Sequence, residues 1–110
     1  MTDRCGSRNA GEVLQEANAI PNFVDRALHD PTFGDWCLLR QLAIFLIDLD
    51  SNDLLAHLFL VRAERNLGNR ADARQALEMC TVVLRDATTS EVQIEGLRAL
   101  IEQEQWHLRE

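Results

Sequence analysis

Apolar residues recur at steps of three and four over most of this chain, and no stretch alternates as a β-strand would. The first such stripe begins after Gly11 and is interrupted at Pro21. Because proline disfavours helical backbone in the residue before it, Pro21 predicts a break at Ile20 between two short helices. A single long helix kinked at Pro21 is the alternative. The stripe consists of Leu14, Ala17, Pro21, Val24 and Leu28.

Polar turns then divide the middle of the chain. The segments HDPTFG (29–34) and DSND (50–53) predict one helix ending near Leu49 and another from Leu54 to Leu67. The segment LAIFLI (42–47) is apolar on every side, which predicts a position in the middle of a helical bundle.

The second half of the chain predicts two more helices. Gly68 suits a left-handed helix end, and the helix from Arg70 to Leu84 is the most clearly amphipathic of the chain. Residues 87–89 read as a linker, and Ser90 with Gln93 forms a capping box for a last helix. The apolar stripe of that helix is Ile94, Leu97, Ile101 and Leu108, interrupted by Glu104. We assign Glu104 to a solvated face with Glu91, Glu95 and Glu102.

These elements predict an all-α fold of about five to six helices arranged as antiparallel hairpins. Residues 1–8 carry no apolar period and are expected to be a mobile tail. Residues 9–110 then form a single helical domain. With aromatic residues at 5% and tyrosine absent, its core should be aliphatic.

The segment from Asp48 to Cys80 resembles a tetratricopeptide repeat. Gly34 and Gly68 stand 34 residues apart, which is the length of that repeat. In the family, small residues and a glycine turn let two antiparallel helices approach closely, and Val61, Gly68 and Ala73 would take those roles here. The resemblance implies a degenerate repeat at 21–53, a better repeat at 54–87 and a C-terminal capping helix at 88–110. A generic helical bundle is the alternative.

The resemblance also implies that the inner face of the first helix of the better repeat holds a peptide. Such a mixed apolar and arginine surface suits an amphipathic helix with an acidic edge, because the apolar residues bury its anchors while arginine forks onto carboxylates. Equally, the apolar members could be ordinary core covered by the N-terminal helix. The residues of this face are Leu55, Leu58, Phe59, Arg62, Arg65 and Asn66.

Charge and composition narrow the partner class. The formal net charge of −7 opposes binding to nucleic acid and to anionic lipid surfaces. Three cysteines in no paired spacing, read as isolated thiols, together with the lack of a signal peptide or of an apolar run long enough to span a bilayer, predict a cytoplasmic protein without membrane insertion. In size, charge and helical layout the chain resembles the chaperones of bacterial type III secretion. We therefore expect a protein-binding adaptor or chaperone.

Residues for catalysis or metal binding are sparse. The chain has no CxxC, HExxH or glycine-rich phosphate loop, so we expect no enzyme, no cofactor and no metal. His57 and Cys80 are the one pair that a helical hairpin could bring together, and a satisfied histidine with a buried cysteine is the favoured interpretation. Asp48, Asp50 and Asp53 are interpreted as capping and solubilising residues.

Self-association is the remaining hypothesis. A repeat array this short leaves an apolar side that further repeats would have covered. The alternative to an adaptor is therefore a homodimer without a peptide ligand.

Overall fold

A computed structural model describes residues 8–30, 32–85 and 91–109, with the side chains of residues 91–94 left undescribed. Within these residues the chain forms six α-helices and no strand, which confirms the predicted all-α fold of about six helices. The helices are α1 (Ala10–Ala19), α2 (Phe23–His29), α3 (Trp36–Leu49), α4 (Leu54–Asn66), α5 (Arg70–Arg85) and α6 (Glu91–His107). Residues 1–7, 31, 86–90 and 110 lie outside the described residues, and with them most of the predicted tail, the linker and Ser90 of the capping box.

The break predicted at Pro21 is confirmed. Helix α1 ends at Ala19, and Ile20 leaves the helical region with φ −92° and ψ 115°. Asn22 then adopts the left-handed conformation, with φ 54° and ψ 40°, directly before α2. Asparagine is among the few residues that tolerate this conformation, so the chain turns here without a glycine.

Aspartates organise the turns that follow. Asp30 Oδ1 accepts hydrogen bonds from the Thr32 backbone N–H at 2.8 Å and from the Thr32 hydroxyl at 2.6 Å. These bonds, and a further one from Arg26, hold the pKa of the Asp30 carboxyl below its ordinary value. Asp53 Oδ1 caps α4 by accepting from the Ala56 N–H at 3.2 Å, which confirms its capping role.

Helix α4 lies at the centre of the packing. It makes the most extensive contacts with α5, which confirms the predicted hairpin, and it also packs against α3 and α6; α1 packs on α3, and α6 on α5. Two apolar cores form on opposite sides of α4. The N-terminal core contains Val13, Ala17, Phe23, Ala27, Phe33, Leu38, Leu39, Leu42, Ala43, Phe59 and Ala63. The C-terminal core contains Leu54, Leu58, Val61, Ala73, Ala76, Cys80, Val83, Ile101 and Leu108.

The cores correct two predictions about α1 to α3. Leu14 and Val24, both assigned to the first apolar stripe, are 39% and 48% exposed, whereas Val13 and Phe23 are buried. The break at residues 20–22 changes the helical phase, so each short helix buries its own i, i+4 pair. Nor is the LAIFLI segment enclosed on every side, because Ile44 is 38% exposed.

Two further expectations change at the N-terminus and in the core composition. Arg8, assigned to the mobile tail, pairs with Glu16 at 3.0 Å and donates to the Gln41 side chain at 2.7 Å. The N-terminal core is also not purely aliphatic. Phe33 lies edge-on to Phe23, with ring centroids 5.6 Å apart, and makes a second edge contact with a tryptophan on α3.

Candidate partner-binding groove

The six residues predicted to hold a partner all lie on α4, but they do not form one open face. Leu58 and Phe59 are 0% and 1% exposed, Leu58 in the C-terminal core and Phe59 in the N-terminal core. The expectation that these two side chains present an open apolar surface is therefore wrong, because flanking helices cover α4 on both sides. Leu55 is half-buried and Asn66 is exposed, so both remain accessible.

Arg62 and Arg65 already bind a carboxylate of this chain. Arg62 Nη1 donates to Glu104 Oε1 at 3.1 Å, while Arg65 donates through Nε to Oε2 at 2.5 Å and through Nη2 to Oε1 at 3.1 Å. Glu104 is 0% exposed, which corrects its assignment to a solvated face. Its position one turn after Ile101 on the buried stripe of α6 carries the carboxylate between the two guanidinium groups. Glu95 and Glu102 are exposed, as expected, and the Glu91 side chain is not described.

Arg62 is fixed by further contacts from the N-terminal half. Its Nε donates to the Ala27 carbonyl at 2.7 Å, and its guanidinium carbon lies 5.7 Å from the centroid of the Trp36 ring. Burial lowers the pKa of Arg62, while the neighbouring Glu104 raises it; the side chain stays protonated at neutral pH. Two guanidinium groups around one carboxylate leave one positive charge in excess at this site.

A second ion pair links α3 to α4. Arg40 Nε donates to Glu64 Oε1 at 2.7 Å, and the Asn69 side chain donates to the same oxygen at 3.2 Å. Glu64 is only 4% exposed. This pair was not predicted from the sequence. Arg40 and Glu64 each interrupt an apolar run, and a charged residue in such a place can be either exposed to solvent or paired inside the fold.

Two cavities adjoin α4 on the side that faces α2 and α6. The larger, of about 690 Å³, lies at the N-terminal ends of α4 and α6 and is mainly apolar. The smaller, of about 380 Å³, lies toward their C-terminal ends and is mainly polar. Leu28 and His29 of α2 line both cavities, so the two are adjacent. We call this depression the α2–α4–α6 groove; its wall includes Leu55, Arg62, Arg65 and Asn66 of the predicted set.

The candidate catalytic pair consists of two buried side chains. His57 is 4% exposed, and its Nε2 lies 2.8 Å from the Ser51 carbonyl oxygen. Cys80 is a free thiol with 0% exposure, and burial, assisted by the charge of Glu104, raises its pKa to about 12. Since the thiolate is the nucleophilic form, Cys80 is unreactive at neutral pH.

The other cysteines differ from expectation or lie outside the description. Cys37 is disulfide-bonded, so the interpretation of the three cysteines as isolated thiols is wrong for this residue. Cys5 lies outside the described residues. In the part of the chain that the structure describes, no three His, Cys, Asp or Glu side chains come close enough together to hold a metal ion. None of the helices formed by these residues has the length and apolar character needed to cross a membrane.

No protein-family model, curated protein or solved structure matches this chain. The groove must therefore be interpreted from its own residues.

Proposed function

We propose that this chain is a non-enzymatic protein-binding module that holds a helical segment of a partner protein in the α2–α4–α6 groove. The observation that carries the proposal is the pair of adjacent cavities along α4, one mainly apolar and one mainly polar. Leu55 and Asn66 mark their two ends, about 16 Å apart along the helix axis, or roughly three helical turns. Such a groove suits an amphipathic helix whose inward face presents apolar anchors to the first cavity and polar side chains to the second.

The polar cavity supports an acidic edge on the partner. Arg62 and Arg65 share the single carboxylate of Glu104, while Asp30, which also lines the cavity, is paired with Arg26 at 3.2 Å. One positive charge is therefore in excess beside the cavity. A partner carboxylate placed there would complete the neutralisation through charge-assisted hydrogen bonds. In this arrangement α6 supplies the first carboxylate and the partner supplies the second.

The non-enzymatic part of the proposal is supported by the state of the one candidate dyad. The Cys80 thiol is protonated and buried, and His57 is engaged with a backbone carbonyl. The formal charge of −7 supports a protein partner over nucleic acid. A small adaptor or chaperone built on a tetratricopeptide-like array, such as those of type III secretion, would be one example of this class.

Site-specific photo-crosslinking in cells of the source organism tests the groove. A photoreactive amino acid at Gln103, which lines the polar cavity, should give a covalent adduct with a partner protein. The matched control is Gln105, an exposed glutamine of the same helix that does not line either cavity as described. Adducts at Gln105 alone, or at neither position, would overturn the proposal.

Self-association is the second candidate, and one observation favours it. Met79 and Val82, one turn apart on α5, are 42% and 41% exposed and give this helix an apolar outer strip. Sedimentation of the purified chain separates the two candidates. A stable homodimer that Met79→Glu dissociates, together with no adduct at Gln103, would establish the dimer.

A further inference from the structure

The apolar cavity of the groove combines leucine side chains with an acidic rim. Leu55, Leu97 and Leu100 form part of its wall, while Asp50 and Asp53 stand in the turn between α3 and α4 at its edge. None of the described residues that line this cavity is an arginine, although the chain has eleven basic residues. The local charge is therefore negative, opposite in sign to the excess at the polar cavity.

The two carboxylates retain capacity to accept hydrogen bonds. Asp50 Oδ1 accepts from the Asn52 N–H at 3.0 Å, and Asp53 Oδ1 accepts from the Ala56 N–H at 3.2 Å. An ionised carboxylate accepts at both oxygens, so each can also receive a bond from a cationic donor. The C-terminal end of α3 at Asp50 adds a partial negative charge, and Asp53 already offsets the positive end of α4 by capping it.

Gly96 leaves room in this cavity. It lies inside α6, where glycine weakens a helix relative to alanine. A Cβ placed on Gly96 would have no neighbouring atom of the described residues within 4 Å, apart from its own helix, and its φ is not in the left-handed region. Neither close packing nor backbone conformation calls for glycine here. Gly96 itself lines the cavity, so a side chain at this position would stand at the cavity wall.

We infer that this cavity receives an apolar side chain of the partner helix that is flanked by lysine or arginine, with the cationic groups on Asp50 and Asp53. The inference rests on the proposed function and fixes the direction in which the partner helix lies along the groove. A basic, apolar end lies over the N-terminal ends of α4 and α6. The acidic edge lies over Arg62 and Arg65.

Fluorescence anisotropy with three synthetic amphipathic helices tests the inference on the full chain. The peptides, about 18 residues or roughly five turns each, share one leucine stripe and differ in having Lys, Gln or Glu beside it. We expect the Lys peptide to bind about tenfold more tightly than the Glu peptide, because two exposed ion pairs replace two repulsions.

Two sets of variants assign the binding to this cavity. Asp50→Asn with Asp53→Asn keeps the turn acceptors and should weaken the Lys peptide about threefold to tenfold. The control, Asp72→Asn with Glu78→Gln, removes the same charge from exposed positions on α5 and should leave the affinity unchanged. Gly96→Leu should weaken binding by about tenfold or more by filling the cavity, whereas Gly96→Ala should act much less.

Equal affinities for the Lys and Glu peptides, or equal effects of the two double variants, would overturn the inference. So would unchanged binding by Gly96→Leu. If Gly96→Leu instead converts a dimer to a monomer in sedimentation, the occupant is a second copy and a basic partner is excluded. An adduct at Gln103 alongside any of these results would uphold the proposed function while the inference fails.

Discussion

The two cores on either side of α4 are built in different ways. The N-terminal core interlocks aromatic rings, with Phe33 in edge contact with both Phe23 and Trp36. The described C-terminal core has no aromatic side chain and instead encloses a charged residue, Glu104. Helix α4 therefore packs on one side through apolar and aromatic contacts alone. On the other side its packing also depends on charge pairing.

The packing of α5 and α6 against α4 explains why the C-terminal side contains a buried ionic cluster. Ala73, Ala76 and Cys80 let α5 approach α4 closely, which leaves little space for large side chains. Helix α6 then meets α4 where Arg62 and Arg65 emerge, and an apolar residue at position 104 would bury their charges unpaired. Because removal of one partner is costly, the ionic cluster fixes the position of α6 even where it adds little net stability.

Removing the buried carboxylate should give the largest effect. Glu104→Ala leaves two guanidinium groups without a counter-ion, and we expect the free energy of unfolding to fall by about 3 kcal/mol, the lower end for broken buried pairs because both arginines retain some exposure. Urea unfolding measures this loss. Glu102→Ala, at an exposed position of the same helix, should change stability by less than about 0.5 kcal/mol.

Equal urea midpoints for Glu104→Ala and Glu102→Ala would contradict this difference between the two cores. The guanidinium groups would then reach water without cost, and the C-terminal side would depend on apolar packing alone. The structure also changes the choice of probe for partner binding. Charge reversal at both Arg62 and Arg65 would place three carboxylates together, so it should destabilise the fold and is a poor probe of partner binding.

Alkaline pH should give the second-largest effect, a loss of stability that originates in the C-terminal core. The pKa of Cys80 is raised to about 12 in the folded chain, from 9.0 as the reference value. Its contribution to stability is therefore complete below about pH 9 and is lost as the pH rises towards 12. By linkage, the free energy of unfolding should fall by about 1.4 kcal/mol between pH 8 and pH 10.

The composition of the chain leaves few other titrating groups that could obscure the effect of Cys80. The chain contains no lysine and no tyrosine, so few other groups titrate in that range. Cys80→Ala should lower stability at pH 8, because it leaves a small cavity, yet remove most of the slope. A slope that persists in Cys80→Ala would assign the pH dependence to another group.

Local signals in the sequence were sufficient for the elements. The break at Pro21, the end of α3 at Leu49 and the start of α4 at Leu54 follow from proline and aspartate chemistry that acts within a few residues. The buried face of α5 was also predictable, because one uninterrupted helix keeps a constant phase. Ala73, Ala76, Cys80 and Val83, at steps of three and four along the helix predicted to be amphipathic, are all buried.

Long-range pairing was not predictable in the same way. Glu104 interrupts an apolar stripe, and sequence alone does not distinguish a solvated residue from one that meets two arginines more than thirty-eight positions away. For the same reason the sequence did not decide whether Leu58 and Phe59 are exposed or belong to the core, and the structure shows both buried. Leu55, Arg62, Arg65 and Asn66 of the predicted face line the groove, whereas the residues that α6 adds to its wall were not predicted.

The smallest expected effect compares the two glycines that suggested an internal repeat. Gly68 follows α4 closely and adopts φ 85°, whereas Gly34 lies five residues after the end of α2 and outside the left-handed region. The two turns therefore differ in backbone conformation, despite the equal spacing.

Gly68→Ala should lower the free energy of unfolding by about 1–2 kcal/mol, because alanine is strained in the left-handed region. Gly34→Ala has open space for its methyl group and should be neutral or stabilising by up to about 1 kcal/mol, since it restricts the unfolded chain. Equal losses in both variants, measured by urea unfolding, would contradict this difference between the two turns.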